Sequence, residues 1–451
     1  MTSHNDLVSA FLELARELAT CEPFVVDPGN DDCVSTPFST TSQSDWVEGV
    51  RYWNQSGRHL IADLPSRCCP ACGLDDHRQL FHSYDGYPYV ECVNCGCWYV
   101  PLKIEADLFV RFFELCPPAF EVMQRVFHDR RSETSRQSNI ERIGGYLDTL
   151  IPMLANLDSL NYLDMGCGLG HSLLAARARG LQAVGVESSP ECITLARQDD
   201  LAVFHIADAG WQGHCFHLVS FWESLEHMAE PVTVLTRIAQ RLAPNGLIAF
   251  SVPNQNSPLV RAQREDCSFI HGGYDTPGHI NLFNPATLEL LLDRSGYTLL
   301  ALDGQYSLNL IELVSYMRGN QHGIYDILQG GPVNCNLSAE VGGMLRSIGP
   351  AVTLFERVTL TAPILFGFAC RKKDTAYFAQ SVCAYKSKRL EGIDARIREL
   401  EPASRDIDLL PQRLREANDR IEYLEDQLRL TRNPLRRLVR FVLGKLNSSK
   451  G

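Results

Sequence analysis

The stretch Leu163-Asp164-Met165-Gly166-Cys167-Gly168-Leu169-Gly170 joins an apolar run to three alternating glycines. A helix-forming run, Ser172-Leu173-Leu174-Ala175-Ala176, follows it almost directly. Because glycine adopts backbone angles that other residues avoid and lets the chain approach a ligand closely, the stretch predicts a strand, a tight turn and a helix start. By itself such a turn is compatible with any nucleotide-like ligand.

Short apolar runs alternate with helical patterns on both sides of this turn. The predicted strands are 161–165, 183–186, 203–206, 217–221, 247–252, 297–302 and 364–370, and the predicted helices are 172–179, 190–198 and 231–242. This alternation predicts an α/β fold with a doubly wound, Rossmann-like, seven-stranded parallel sheet. Ligands of such sheets bind at the carboxyl ends of the strands.

Two acidic residues follow the next predicted strands. Glu187 ends the second strand, where a carboxylate can accept hydrogen bonds from both hydroxyls of a ribose. Asp208 ends the third strand, where an acid can accept a hydrogen bond from an adenine amino group. The spacing is Gly-x-Gly-x-Gly, and His171 stands where a dinucleotide fingerprint has its last glycine. These features narrow the predicted ligand to an adenosine derivative that is not a dinucleotide.

Two Cys-x-x-Cys-Gly knuckles precede this region. They are Cys69-Pro70-Ala71-Cys72-Gly73 and Cys92-Val93-Asn94-Cys95-Gly96, with nineteen residues between Cys72 and Cys92. Four thiolates form the tetrahedral ligand set of a structural Zn²⁺, and so small a module needs its metal for stability. The neighbouring Cys68 and Cys97 leave the assignment of individual sulfurs open. A closed four-cysteine site has no open coordination position, so no catalysis is assigned to it.

The composition indicates a globular protein of two or three domains. The chain has 451 residues, 45% of them hydrophobic, and a net charge of −12, which argues against wholesale nucleic-acid binding. Neither a signal peptide nor a membrane-spanning run of 18 apolar residues is predicted, and the 16 cysteines favour metal or free thiols over disulfides. These properties predict a cytoplasmic protein.

The composition also suggests domain boundaries. They are an N-terminal helix and linker (1–65), a zinc ribbon (66–103), a helical connector or lid (104–157), the α/β domain (158–373, with a helical insertion at about 304–361), a coiled coil (385–430) and a basic amphipathic tail (432–451).

From Cys69 to Lys373 the chain resembles class I S-adenosylmethionine-dependent methyltransferases, specifically a bacterial form with an N-terminal zinc ribbon. Further motifs that carry the resemblance are Ser220-Phe221-Trp222-Glu223-Ser224-Leu225-Glu226-His227, Leu242-Ala243-Pro244-Asn245-Gly246-Leu247, Ser251-Val252-Pro253-Asn254 and Gly278-His279-Ile280-Asn281-Leu282-Phe283. Asn245 departs from the family's usual glycine. The resemblance implies that the methionine part of the cofactor lies against Asp164, Gly166, Cys167, Gly168 and Gly170. It also implies that Glu187 binds the ribose, that Asp208 binds the adenine and that Trp222 closes one side.

Glu223, Glu226 and His227 are spaced i, i+3 and i+4, so a helical turn after the fourth strand would present all three on one face. This Glu-x-x-Glu-His motif, together with His279 later in the chain, resembles the motif of ubiquinone-pathway and small-RNA 2′-O-methyltransferases. That resemblance implies Mg²⁺ at the acceptor hydroxyl. General-base chemistry by His227 or His279 is an alternative, as are solvated glutamates with a histidine that only caps or packs.

The acceptor is the least determined part of the prediction. The Asn/Asp-Pro-Pro-aromatic motif of amino-group methylation on bases is missing, because the position reads Phe221-Trp222-Glu223-Ser224. The zinc-ribbon resemblance implies a sugar or glycan hydroxyl in cell-surface polysaccharide biosynthesis. An RNA methyltransferase is disfavoured because Arg78 is the only basic residue between Cys69 and Cys95. A non-catalytic assembly scaffold is the third hypothesis.

The C-terminal arm has a heptad pattern. Apolar residues recur at positions 393, 400, 407, 414, 421 and 428, with an interruption of the seam near Pro402 and Pro411. This pattern predicts a coiled coil that forms homo-oligomers or binds a partner, although a helix folded back on its own domain has the same pattern. The tail beyond Pro434 interleaves basic and apolar residues, which favours contact with the inner face of an anionic membrane over nucleic acid.

Overall fold

The structure is a computed structural model. It describes residues 63–82, 87–105, 130–154, 159–208, 210–257, 279–305 and 359–408, with a few single positions between these ranges and without the side chains of 396–408. Within these residues, no helix is long and apolar enough to cross a membrane.

The described chain contains eleven strands and six α-helices. The strands are β1 (His77–His82), β2 (Pro88–Cys92), β3 (Trp98–Tyr99), β4 (Asn161–Met165), β5 (Gln182–Glu187), β6 (Ala202–His205), β7 (Phe216–Trp222), β8 (Leu242–Pro253), β9 (Asn281–Leu282), β10 (Tyr297–Gln305) and β11 (Ile364–Arg371). The helices are α1 (Glu133–Leu150), α2 (His171–Arg177), α3 (Pro190–Arg197), α4 (Pro231–Ala239), α5 (Pro285–Arg294) and α6 (Thr375–Asp408). Short 3₁₀ turns lie at Ile151–Met153, Gly210–Gly213, Leu225–His227 and Lys372–Asp374.

Seven strands form the central sheet in the order β10-β11-β8-β7-β4-β5-β6. Every predicted strand of this sheet is present, and the α/β fold is confirmed. The sheet is mostly parallel, because β11 alone runs antiparallel to its two neighbours. From β4 the chain continues to β5 on one side and later returns to β7 on the other, so the crevice for a ligand opens where β4 and β7 end.

Three of the described helices, α1, α3 and α5, begin after a residue whose side chain accepts a hydrogen bond from a free backbone amide. Ser189 accepts a hydrogen bond from the backbone N of Cys192 (3.2 Å) and Pro190 is the first residue of α3. Asn284 and Thr287 form a reciprocal capping box at the start of α5. Among the predicted helices only α3 has such a cap, since α2 and α4 begin without a side-chain cap and α5 was not predicted.

Alternating residues of the sheet pack into two different hydrophobic layers. On one face, Tyr162 and Trp222 pack with α1, α2, α3 and Phe378 of α6. On the other face, Leu163 and Phe221 pack with α4, α5 and the cysteine-rich segment.

The cysteine-rich segment forms a second sheet in the order β1-β2-β3-β9. Strand β1 was not predicted, and β9 comes from the α/β domain, where Asn281 and Leu282 pair with Tyr99 and Trp98. The ribbon sheet therefore includes a strand from beyond the predicted domain boundary at residue 103, and the ribbon is not independent of the α/β domain.

Helix α6 continues through Pro402 as far as Asp408. The predicted interruption near Pro402 therefore does not end the helix. The second half of the predicted coiled coil (409–430), the tail at 432–451, the N-terminal segment 1–60 and most of the insertion at 304–361 lie outside the described residues. The expectations for these segments stay predictions.

Candidate active site

The glycine turn has the backbone conformation that the sequence predicts. Gly166, Gly168 and Gly170 have φ angles of 80°, 52° and 81°, a region that other residues rarely adopt. A Cβ atom at Gly166 would lie 2.8 Å from Cβ of Ser224, whereas a Cβ atom at Gly168 would meet nothing within 4 Å. The turn therefore faces open space at Gly168, as a cofactor cradle requires.

The carboxylate of Asp164 lies at the end of β4 and is held by two serines. One oxygen accepts from the hydroxyl of Ser172 at the start of α2, and the other accepts from Ser220 of β7 (2.6 Å). Ser220 in turn lies 2.5 Å from the hydroxyl of Tyr162, which accepts from the indole N–H of Trp222 (2.9 Å). The orientation of Asp164 is thus fixed by a buried chain of hydrogen bonds.

Burial raises the pKa of Asp164 to about 7, although its two serine donors favour the charged form. Burial also lowers the pKa of the neighbouring His171 to about 4, with further lowering by nearby arginines. His171 is therefore neutral at pH 7, while Asp164 titrates near that pH. A cationic group that binds beside Asp164 would stabilise its ionised form.

The two other predicted acids lie at the ends of adjacent strands. Glu187 ends β5 and accepts hydrogen bonds from the backbone N atoms of Gly168 (2.8 Å), Ser188 (2.7 Å) and Ser189 (2.9 Å). Asp208 follows β6 and is exposed, with one oxygen accepting from the backbone N of His205 (2.9 Å). The hydroxyl of Ser188 also donates to Oε1 of Glu187 (3.2 Å), so Oε1 is fully used, whereas Oε2 accepts only from Gly168 and keeps one acceptor position. Asp208 keeps acceptor positions on both oxygens.

Cys167 and Trp222, two further predicted cofactor residues, are also buried. Cys167 contributes its backbone to the turn, with its N–H donating to the carbonyl of Val186 (3.1 Å). The ring of Trp222 stacks on Tyr146 of α1, with ring centroids 5.1 Å apart. Trp222 therefore supports Tyr162 and Asp164 from within the hydrophobic layer, and its predicted contact with a cofactor stays a prediction.

A second group of functional side chains lies beyond the end of β7. Side-chain ligand atoms of Glu226, His227 and His279 all lie within 4.8 Å of one another, and we call these three residues the acidic-histidine cluster. Nε2 of His279 is 3.9 Å from a carboxylate oxygen of Glu226. Glu226 is completely buried, and within the described residues neither of its oxygens has a hydrogen-bond donor. Burial raises the pKa of this carboxyl well above its ordinary value.

The structure places Glu223 outside this cluster, and its predicted catalytic role stays a prediction. Glu223 has a φ of 51°, and only Leu225–His227 form a helical turn, so the predicted i, i+3, i+4 arrangement is broken. Its carboxylate instead accepts from Nη1 of Arg142 on α1 (3.0 Å). Because the backbone of Glu223 is in the left-handed region, its side chain points toward α1.

The four knuckle cysteines come together as the spacing predicts. Their sulfur atoms lie within 4.8 Å of one another, with 3.5 Å between Cys69 and Cys95 and 3.4 Å between Cys72 and Cys92. Cys68 is exposed, and the buried thiol of Cys97 points to the carbonyls of Trp98 and Leu282. The geometry therefore fits a tetrahedral metal ion held by Cys69, Cys72, Cys92 and Cys95.

Sequence reasoning missed the residues that position these groups. They are Tyr162, Ser172 and Ser220 around Asp164, Arg142 at Glu223, and Arg67 beneath the ribbon. Ser220 pairs directly with Asp164 between β7 and β4, so the alignment of the two predicted strands could have identified it. Burial lowers the pKa of Arg67 to about 10, which leaves it charged at neutral pH. No short motif marks Arg67.

The sheet order, the glycine turn and the acids at the strand ends together define a class I methyltransferase fold. Residues 128–302 match the family model of a methyltransferase domain, so the chain contains such a domain.

The chain is similar to several methyltransferases. A ubiquinone biosynthesis O-methyltransferase of Cereibacter sphaeroides is 32% identical over 125 residues, which are 26% of this chain and 50% of the relative. A trans-aconitate 2-methyltransferase of Delftia acidovorans is 34% identical over 115 residues, 24% of this chain and 43% of the relative. A solved SAM-dependent methyltransferase from Archaeoglobus fulgidus aligns with 54% of this chain and 98% of its own, with 17% identity and a TM-score of 0.36. The chain spans about half the length of the curated relatives it matches.

Proposed function

We propose that the protein is an S-adenosylmethionine-dependent methyltransferase that methylates a hydroxyl group. The observation that carries this proposal is the buried carboxylate of Glu226, which has no hydrogen-bond donor among the described residues and lies beside His227 and His279, in the turn after the strand that also holds Asp164 in place. The glycine turn, Glu187 and Asp208 support a site for the methionine, ribose and adenine parts of the donor.

Methyl transfer from a sulfonium is a displacement in which the acceptor oxygen bonds to the methyl carbon while the carbon–sulfur bond breaks. The sulfur leaves as neutral S-adenosylhomocysteine, and the acceptor must lose its proton. The protein therefore has to align the acceptor and accept that proton. His279 lies against Glu226, and His227 lies close to both, so either imidazole can take the proton.

A divalent cation fits the acidic-histidine cluster. A fully buried carboxylate without donors is costly unless a cation compensates its charge, and two imidazoles complete a three-ligand set. Such a set suits Mn²⁺ or Fe²⁺ at least as well as the Mg²⁺ that the resemblance implies. A cation held here would lower the pKa of a bound hydroxyl. Glu226, His227 and His279 would hold it, and Glu223 would not.

For the acceptor we propose a sugar or glycan hydroxyl. The zinc-ribbon resemblance and the acidic net charge support an uncharged or weakly charged acceptor over RNA. The names of several relatives support O-methylation, and they also make a small non-carbohydrate acceptor the main competitor.

A methyl-transfer assay with a labelled donor distinguishes these acceptors. We expect the purified protein to transfer the methyl group to an oligosaccharide, and not to RNA. The same assay with catechols serves as the comparison. Transfer to a catechol alone would retain the methyltransferase and reject the glycan acceptor, and transfer to RNA would reject both acceptor proposals.

The affinity for S-adenosylmethionine should depend on pH through Asp164. The donor is a cation and binds best beside an ionised carboxylate, and Asp164 has a pKa of about 7. The ionised fraction then rises from about a tenth at pH 6 to about nine tenths at pH 8, so we expect affinity to rise about tenfold over this interval. Titration calorimetry at both pH values measures it.

Asp164→Asn is the matched control, because asparagine keeps the size, its one oxygen can accept from one of the two serines, and its NH2 group can donate to the hydroxyl of the other. We expect this variant to bind the donor more weakly and with little pH dependence. A variant with wild-type affinity and the same pH slope would remove Asp164 from the cofactor site.

A further inference from the structure

A single buried arginine links the ribbon to the acidic-histidine cluster. Arg67 lies two residues before Cys69 and its side chain is buried. Its Nε donates to the carbonyl of Val100 (2.8 Å) and its Nη1 to the carbonyl of Ala229 (2.8 Å). Its Nη2 donates to the carbonyl of Ile280 (2.7 Å) and to Oδ1 of Asn281 (2.8 Å). One guanidinium therefore joins three separate segments.

Two of these segments carry the cluster. Ala229 lies two residues after His227, and Ile280 directly follows His279. The segments also bind each other, because the N–H of Ile280 donates to the carbonyl of Glu226 (3.0 Å). The ribbon adds a further contact, since the hydroxyl of Tyr89 on β2 donates to the carbonyl of His279 (2.5 Å). The backbone around all three cluster residues is thus held from the ribbon side.

The charge of Arg67 points to the same link. Its four acceptors are neutral oxygens, and a buried cation without a compensating anion is costly. Its guanidinium carbon lies 5.5 Å from the ring centroid of Tyr99, and Arg67 itself is only two residues from the predicted zinc ligand Cys69. Four thiolates around Zn²⁺ leave a net charge of about −2, which supplies the missing counter-charge.

We propose that Arg67 is a positioning residue through which the metal-loaded ribbon fixes the geometry of Glu226, His227 and His279. Zinc in the ribbon holds the guanidinium, and the guanidinium holds the two cluster segments together. The chemical role of the cluster rests on the proposed function, whereas the mechanical link rests on the contacts of Arg67 alone.

Amide hydrogen exchange of the full-length protein tests this link without an acceptor. Arg67→Met removes the charge and all donors but keeps the apolar stem, and Arg294→Met is the matched control. Arg294 also joins ribbon and domain, because its Nη1 donates to the carbonyl of Ala71 (2.6 Å), but this hydrogen bond does not involve the cluster segments. We expect exchange of the Ile280 amide to rise at least about tenfold in Arg67→Met and to change less than about twofold in Arg294→Met.

Two further readouts separate positioning from general destabilisation. Zinc content and donor affinity should stay within about twofold of the wild type in Arg67→Met, while Mn²⁺ affinity, followed by electron paramagnetic resonance, should fall about tenfold. Arg67→Lys keeps the positive charge but not the planar guanidinium with its several donors. Its Mn²⁺ affinity should lie between those of the wild type and Arg67→Met. A wild type that binds no Mn²⁺ would contradict the proposed cation, and the exchange result would still decide the role of Arg67.

Zinc removal from the wild type covers the case in which Arg67→Met does not fold. Chelation should deprotect the Ile280 amide while the amides of β4 stay protected. Unchanged exchange at Ile280, either in a zinc-loaded Arg67→Met or in the zinc-free wild type, would overturn the proposal.

Discussion

Replacing Glu226 by glutamine is expected to stabilise the protein and to reduce methyl transfer about a hundredfold or more. The carboxylate is completely buried and, within the described residues, has no hydrogen-bond donor. A neutral amide of the same size costs less to bury, so the free energy of unfolding should rise by about 1–2 kcal/mol. The activity should fall because the variant loses the charge that a cation or an imidazolium needs. Thermal unfolding and a methyl-transfer assay measure the two effects.

The stability gain should depend on pH in a defined direction. A raised pKa in the folded state means that folding favours the protonated carboxyl, so the wild type is most stable below the ordinary value of 4.5. Its stability then falls as the pH rises from that value toward the higher pKa of the folded state. The advantage of Glu226→Gln should therefore be small at pH 4 and grow toward neutral pH.

Glu223→Gln is the matched control, since Glu223 is partly exposed and paired with Arg142. It should give no stability gain. In the absence of divalent cations, a Glu226→Gln variant that is less stable than the wild type would contradict the cost of burying this carboxylate. A variant that transfers methyl groups at the wild-type rate would contradict its functional role.

The central sheet could be predicted from the sequence because its strands are buried on both faces. Such strands read as short apolar runs between helical patterns, and all seven were recognised this way. The glycine turn could also be predicted, because the positive φ angles at Gly166, Gly168 and Gly170 favour glycine. Local sequence therefore determined the fold and the cofactor side of the site.

The acceptor side could not be predicted to the same depth because it depends on contacts between distant segments. Strand β9 has only two residues and carries no periodic pattern, yet it adds the α/β domain to the ribbon sheet. The sequence spacing of Glu223, Glu226 and His227 suited one face of a helix, but the left-handed backbone of Glu223 prevents that arrangement. Arg67 reaches residues more than 160 positions away, and no local rule identifies such a partner.

Removing one ribbon cysteine is expected to have the largest effect on stability. We expect the wild type to bind about one zinc ion per chain, and Cys92→Ser to lose it. Structural zinc contributes on the order of 10–16 kcal/mol in isolated zinc-finger peptides, and here the domain packing should retain part of the fold. The melting temperature should therefore fall by about 10 °C or more. Zinc analysis and thermal unfolding measure the two effects.

The ribbon is integrated into the fold in a way that extends this loss beyond the knuckles. Cys69 and Cys92 belong to the same hydrophobic layer as Phe221 and Leu288, so an unfolded ribbon would expose one face of the central sheet. Cys68→Ser, which changes an exposed thiol one position from a ligand, should retain both zinc and melting temperature. The buried Cys97→Ser should retain zinc, because this thiol lies outside the four-sulfur cluster. If Cys92→Ser kept its zinc while Cys97→Ser lost it, Cys97 would replace Cys92 in the ligand set. A wild type without zinc would show that packing alone holds the four sulfurs together.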